Sequence, residues 1–175
     1  QSLSNMGQFS RFNFNVSGGT EEATFYMGLN YQNDKGLYKH TETFEEFSTQ
    51  LDYDKLNFRS NVDIDLSPST FAQVNLSGYI KSTQGPDNFN VVGDAFEIPS
   101  AMFPVRTFDG SWGGTNQFGN NPVAQISATG YDLTHTRNFI LDVKLEQDLN
   151  SILEGLGIEV FGGYNTLANY FENKT

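Results

Sequence analysis

The sequence contains no cysteine, which excludes a disulfide scaffold, a thiolate zinc site, an iron–sulfur cluster and a Cys nucleophile. Histidine is nearly absent: His40 and His135 are the 2 present, so no multi-His metal centre can be built, and a Ser-His-Asp triad would have to recruit an isolated imidazole. Positive charge is scarce as well. Lys plus Arg number 10 against 21 Asp plus Glu, a net charge of −11, and the basic residues do not gather along the sequence. A nucleic-acid binder is not expected, because the phosphate backbone demands clustered cations. Long apolar runs are missing too. The longest charge-free stretch, residues 110–131, is rich in Gly, Asn, Gln and Ser, whereas a spanning helix needs roughly 18 or more apolar residues. Residues 1–8 show no basic stretch followed by an apolar run, so no signal peptide is read there, and the chain is expected to be mature or a piece.

What is present is aromatic and patterned. The chain holds 16 Phe and 8 Tyr at a mean hydropathy of −0.44, so large rings stand in a sequence that is polar on average. In residues 55–66, Leu56, Phe58, Ser60, Val62, Ile64 and Leu66 alternate with Lys55, Asn57, Arg59, Asn61, Asp63 and Asp65. This period of two marks a strand with one apolar and one polar face. Ser67, Pro68, Ser69 and Thr70 supply turn chemistry. Alternation then resumes with Ala72, Val74, Leu76, Gly78 and Ile80 on one side. The same grammar pairs Phe12, Phe14 and Val16 with Phe25, Met27, Leu29 and Tyr31 across a turn opened by Gly18 and Gly19. It also pairs Phe139, Leu141, Val143 and Leu145 with Ile158, Val160, Gly162 and Tyr164, with Ile140 interrupting the polar face once. The expected fold is all-β: antiparallel up-and-down strands near 9–17, 23–32, 54–66, 71–81, 138–149 and 156–165.

Such strands are long for a globular sheet, whose typical strand has about 5 to 6 residues, and they suit a tilted crossing of about 9 to 11. Short connections alternate with the long segments 33–52 and 82–136, the asymmetry of an outer-membrane barrel with tight turns on one rim and long external loops on the other. Six strands cannot close such a barrel, since the smallest bacterial ones have about eight. An open sheet in lipid would leave unsatisfied edge groups. The reading is therefore part of a large transmembrane β-barrel, with a parent chain longer on both sides. Segment 82–136 carries Phe89, Phe96, Phe103, Phe108, Trp112, Phe118 and Tyr131, too many rings for a solvated linker, so a folded external loop is expected. Phe44, Phe47 and Leu51, with Glu42, Glu45 and Glu46 between them, suggest one or two helical turns in the shorter loop.

Several constellations carry candidate chemistry. Arg59, Asn61, Asp63 and Asp65, with Lys55, stand on one strand face and read as lumen-facing polar residues rather than cation ligands, because barrel interiors are polar. Arg106, Phe108, Asp109 and Trp112 are the candidate ligand or partner contact: an aromatic face stacks on a sugar ring or peptide side chain while Asp and Arg fix polar groups. The bland alternative is self-packing of the loop. Asp109, Ser111 and Asn116 lack the acidic density of a calcium loop, so no metal site is assigned. Neither Asp63 with Asp65 nor Glu45 with Glu46 has an environment that would split two carboxyl pKa values. No enzyme and no cofactor are expected. His135 is expected at the rim ahead of the third hairpin. Gly18-Gly19, Gly113-Gly114 and Gly162-Gly163 read as turn, loop and barrel features rather than phosphate cradles. Tyr26, Tyr31, Tyr38 and Tyr164 are candidates for interfacial girdles.

Taken in order, Val16-Ser17-Gly18-Gly19-Thr20 before the strand at Phe25, Asn33-Asp34-Lys35-Gly36, Tyr53-Asp54-Lys55 leading to Phe58-Arg59-Ser60-Asn61, then Asn121-Pro122, Thr136-Arg137-Asn138 and Asp148-Leu149 cover most of the chain. In that order and spacing the sequence resembles the early barrel strands of the SusC-like (SusC/RagA) TonB-dependent transporters of Bacteroidetes outer membranes. The resemblance implies a plugged barrel of about 22 strands, a SusD-like surface lipoprotein as partner, TonB as energy source through parts of the parent not present here, and oligosaccharides or peptides as cargo. No plug domain, TonB-contacting box or closing strand is expected within these residues. The competing reading is a soluble all-β sandwich or jelly roll, a carbohydrate-binding or adhesion module whose apolar faces meet each other.

Overall fold

The computed structural model describes residues 6–38, 49–87, 91–99, 101–128 and 130–174. Six strands follow one another: β1 (Gln8–Gly19), β2 (Ala23–Lys35), β3 (Asp52–Ser67), β4 (Thr70–Pro86), β5 (Tyr131–Asp148) and β6 (Gly157–Lys174). Two short helices, α1 (Val91–Glu97) and α2 (Pro122–Ser127), lie between β4 and β5. All six strands form one antiparallel sheet in sequence order, an up-and-down meander. Among the described residues no helix is long and apolar enough to cross a membrane, a statement that leaves strands untouched.

The three connections at one end are short, two of them tight turns and the third running over residues 149–156, and each is held by local bonds. After β1, the Thr20 hydroxyl accepts from the Glu22 and Ala23 amides, both at 3.2 Å. Between β3 and β4, Ser67 Oγ accepts from the Ser69 amide at 3.3 Å and donates to Thr70 Oγ1 at 2.8 Å. Past β5, Asp148 accepts from the Asn150 amide and Asn150 from the Gly155 amide, both at 2.7 Å; Gly155 sits at φ 78°, open to glycine without strain. Gly18 and Gly19 end β1 rather than opening the turn.

Strands run further than alternation alone indicates, and the excess is mostly at the loop end. There β4 continues to 86, β5 begins at 131 and β6 reaches 174. In these extensions Ser82, Gln84, His135 and Glu172 occupy positions on the apolar side and break its period while the backbone pairing goes on. His135 accordingly lies inside β5, its ring 6.4 Å from that of Tyr170 at an interplanar angle of 27°, not ahead of the strand.

Register joins the apolar sides of the strands into a single surface. One cross-strand row reads Phe12, Tyr31, Leu56, Ile80, Arg137, Ala168; the next Phe14, Leu29, Phe58, Gly78, Phe139, Thr166; then Val16, Met27, Ser60, Leu76, Leu141, Tyr164; then Gly18, Phe25, Val62, Val74, Val143, Gly162. Gly78 is required by close approach. A Cβ there would stand 2.3 Å from the Asn138 carbonyl oxygen and 2.8 Å from the Phe58 ring, which occupies the space glycine leaves. Tyr26 falls on the opposite, polar face, donating to Asn15 Oδ1 at 2.9 Å, and so cannot belong to an outward aromatic girdle. Tyr164 sits in a middle row rather than at a rim. Tyr31 is at the loop end of the apolar face.

The connections at the other end form a small cluster of their own, in which α1 packs on α2. Among the described residues the buried hydrophobic ones are Val91 and Ile126, joined in these connections by the polar Thr49, Asp94, Asn121, Gln125 and Ser127. The segment between β4 and β5 is thus folded, but not around its aromatics: Phe96 is 87% and Phe108 110% exposed. The helical turns expected at Phe44 and Phe47 with Glu42, Glu45 and Glu46, together with His40 and Phe89, lie outside the described residues.

Candidate functional site

Two surfaces and one loop cluster stand out. The apolar face spans six strands, and its rows carry exposed side chains such as Phe12, Met27, Ile80, Val143 and Val160. At a strand spacing of about 4.8 Å and a rise of about 3.4 Å per residue, the four rows and their flanks measure roughly 25 Å each way, on the order of 600 Å². The largest patch on a soluble monomer is typically about 300–600 Å². Among the described residues no second sheet or helix packs over this face; the substantial inter-element contacts join neighbouring strands or the two helices. Both sheet edges are open. Every residue of β1 and of β6 is exposed.

Polar residues occupy the reverse face, and they bond to one another along rows. Asn30 donates to Asn13 and Asn57 donates to Asn30 Oδ1 at 3.0 Å, an amide relay across three strands. Arg59, Asn61, Asp63 and Asp65 stand on this face as the alternation indicates. Arg59 Nε donates to Asn61 Oδ1 at 3.1 Å, and Gln73 donates to Asp63 Oδ1 at 2.8 Å. Lys144 pairs with Glu146, and with Glu159 at 3.9 Å. The Asn75 and Asn138 side-chain oxygens are buried without a partner.

Register also gathers charge that is scattered in sequence. Arg11 faces Gln32, Gln32 faces Lys55 and Lys55 directly faces Lys81. The next polar row holds Asn13, Asn30, Asn57, Tyr79 and Asn138, and the one after it Asn15, Gly28, Arg59 and Ser77. Four cations therefore share one region of a face, although the linear sequence shows no basic cluster. Periodicity and hairpin register together are the signal that finds them.

In the segment between β4 and β5 the four candidate contact residues do come together. Residues 105–113 fold back as a small hairpin: the Gly113 amide donates to the Val105 carbonyl at 3.1 Å and the Thr107 amide to the Ser111 carbonyl at 2.9 Å. Arg106 lies across the Trp112 ring with its guanidinium carbon 3.7 Å from the centroid, and donates to the Gly110 carbonyl at 2.7 Å. Gly110 is at φ 86°, a conformation that favours glycine. Asp109 accepts from the Thr107 hydroxyl, from the Ser111 amide and from the Ser111 hydroxyl, the last two at 3.2 Å. Arg106, Asp109 and one face of Trp112 thus hold the hairpin, and Phe108 is what the tip presents. Asn116 is not among the partners of Asp109, and among the described residues no three His, Asp or Glu side chains gather around a possible metal position.

Those donors, Thr107 first and then Ser111, hold the Asp109 carboxyl below its usual range. A folded-state pKa below the unfolded one contributes stability above the unfolded pKa that is lost as pH falls through the folded one. Acidification through that range is expected to loosen the hairpin and shift the emission of Trp112, the chain's 1 tryptophan. Asp109→Asn should remove the transition, and an unchanged acid titration in that variant would show the coupling to be absent.

Beneath the hairpin, Asn121 is the node the sequence reading missed. It is 4% exposed. Its amide nitrogen donates to the Val105 carbonyl at 2.9 Å and the Gly113 carbonyl at 3.0 Å, while Oδ1 accepts from the Val123 and Ala124 amides as the N-cap of α2. Asn-Pro ahead of a short apolar run was the available sign. Asp94 in α1 accepts from Gln125 at 2.6 Å and Asn120 at 3.4 Å, and the buried Thr49 hydroxyl donates to the Ile126 carbonyl, tying the shorter loop to the longer one. Compared with known proteins, the chain matches no protein-family model and no curated protein.

Proposed function

We propose that this chain forms six neighbouring strands and two external loops of the wall of a large outer-membrane β-barrel, part of a SusC-like TonB-dependent importer of oligosaccharides or peptides that works with a SusD-like lipoprotein. The observation that carries the barrel reading is the continuous apolar face, six strands wide and uncovered, backed by a face of asparagines and charges. An apolar surface of that extent is costly in water and favourable against lipid. Open edges at β1 and β6 point the same way, because each unpaired backbone group in hydrocarbon costs several kcal/mol and calls for further strands on both sides. From Leu56 to Leu66 the apolar face runs about 34 Å along a strand, which at a tilt of about 40° gives a band about 25 Å tall, the height of an outer-membrane apolar belt. Import, the lipoprotein partner and TonB rest on the resemblance in residue order. The polar face becomes the lumen wall, and Phe108 with the 105–113 hairpin becomes part of the external rim that meets cargo or partner. A plug and a TonB-contacting segment belong to other parts of the parent.

The decisive experiment is fractionation of cells expressing the native polypeptide that contains this sequence. Expected are recovery in the outer membrane, resistance to alkaline carbonate extraction and a band whose gel mobility changes on boiling. A monodisperse protein in the soluble fraction without detergent would overturn the reading in favour of a soluble β module.

A further inference from the structure

The geometry points to an anion-binding station on the polar face, formed by Arg11, Lys55 and Lys81 with Arg59 below them, that receives the negatively charged groups of an imported solute. This inference rests on the barrel reading and goes beyond it, since nothing in that reading requires the solute to be charged.

Three consecutive polar rows carry these four of the 10 basic residues and none of the 21 acidic ones, in a chain where acids outnumber bases two to one. Lys55 and Lys81 are directly opposed, a cross-strand arrangement that destabilises a sheet by like-charge repulsion. Among the described residues neither they nor Arg11 and Arg59 form an ion pair; those present belong to Lys144. The nearest carboxylate on the same face, Asp34 in the row above, accepts from Gln32 at 2.7 Å. Lys55 rests over the Tyr79 ring at 4.8 Å, and Arg11 donates to Gln32 Oε1 at 3.3 Å, contacts that orient cations without neutralising them. Arg11 and Arg59 are exposed and the two lysines half-buried, so the group is open to solutes. It lies toward the loop end of the sheet, where an uncompensated positive field concentrates anions at the entrance. A carboxylate or sulfate between Lys55 and Lys81 removes their repulsion and gains charge-assisted hydrogen bonds.

The test uses the full-length protein in detergent and a trisulfonated pyrene dye as probe, followed by fluorescence anisotropy. Saturable binding is expected, weakening as salt rises, with Kd about tenfold higher or more in the Lys55→Gln, Lys81→Gln double variant and near wild type in Lys81→Arg. Heat-modifiable gel mobility of each variant reports folding independently. Equal affinity in wild type and double variant, or no binding by the wild type, overturns the station. So does a carbodiimide cross-link from Lys55 or Lys81 to a carboxylate of the same chain, which would make a segment of the protein itself the occupant. Loss of heat-modifiable mobility in the wild type would instead signal failure of the barrel reading.

Discussion

Leu76→Arg is expected, on the barrel reading proposed above, to lower the stability of the parent protein in lipid vesicles by about 2–4 kcal/mol, the cost of an arginine on a lipid-facing surface near the bilayer midplane. Leu76 occupies a middle row of the apolar face, between Ser60 and Leu141, where on that reading a guanidinium has no water within reach. Two controls give the prediction its content. Leu56→Arg places the same group on the same face at the loop-end row, two residues from Asp54, and should cost about 0–1 kcal/mol because the side chain snorkels to the interface. The native Arg137 already occupies that row. Asn75→Arg changes the neighbouring residue on the polar face, opposite Asp142, and removes a side-chain oxygen that has no partner, so it should be close to neutral. Urea unfolding in vesicles measures all three. Equal losses at Leu76 and Leu56 would show no dependence on depth, and the apolar face would then be packing against protein rather than lipid.

Replacing Asn121 by alanine should undo the loop between β4 and β5 while leaving the sheet intact. The change removes the α2 cap, worth about 0.5–2 kcal/mol, and strands the Gly113 carbonyl, at about 1–3 kcal/mol for a buried acceptor left unmade, while the Val105 carbonyl keeps the Gly113 amide. Together these are comparable to the burial of Val91 and Ile126, the buried hydrophobic residues among those described in the segment. Hydrogen exchange should show protection lost over 105–113 and 122–128 with β3, β4 and β5 unchanged. Asn121→Asp separates the two contributions, because it keeps the acceptor for the Val123 and Ala124 amides but donates nothing. If the aspartate variant protects the loop as well as wild type, the cap alone holds it. If it fails like alanine, the two donated bonds are the structural tie.

Strand identity and the choice of faces were legible from one sequence because a pleated strand points successive side chains to opposite sides, so Leu56, Phe58 and Val62 declare their face without reference to any neighbour. The hairpin turns were legible for a similar reason: Ser67 to Thr70 and Asp148 to Asn150 act through bonds to their own backbone. Alternation stops informing where both faces meet water, which is why the strand ends at Ser82 to Pro86 and Tyr131 to Arg137 had to be seen in the pairing. The loop between β4 and β5 was legible only as a region of many rings. Its buried residues are mostly small and polar, and Asn121, Asp94, Gln125 and Thr49 are joined across distances that no local period encodes. Charge shows the difference most plainly. The sequence determined a scarcity of cations and their alternation with apolar residues on each strand. Only the tertiary register decided that Arg11, Lys55, Arg59 and Lys81 meet on one face, because cross-strand neighbours are set by where each hairpin turns and not by separation along the chain.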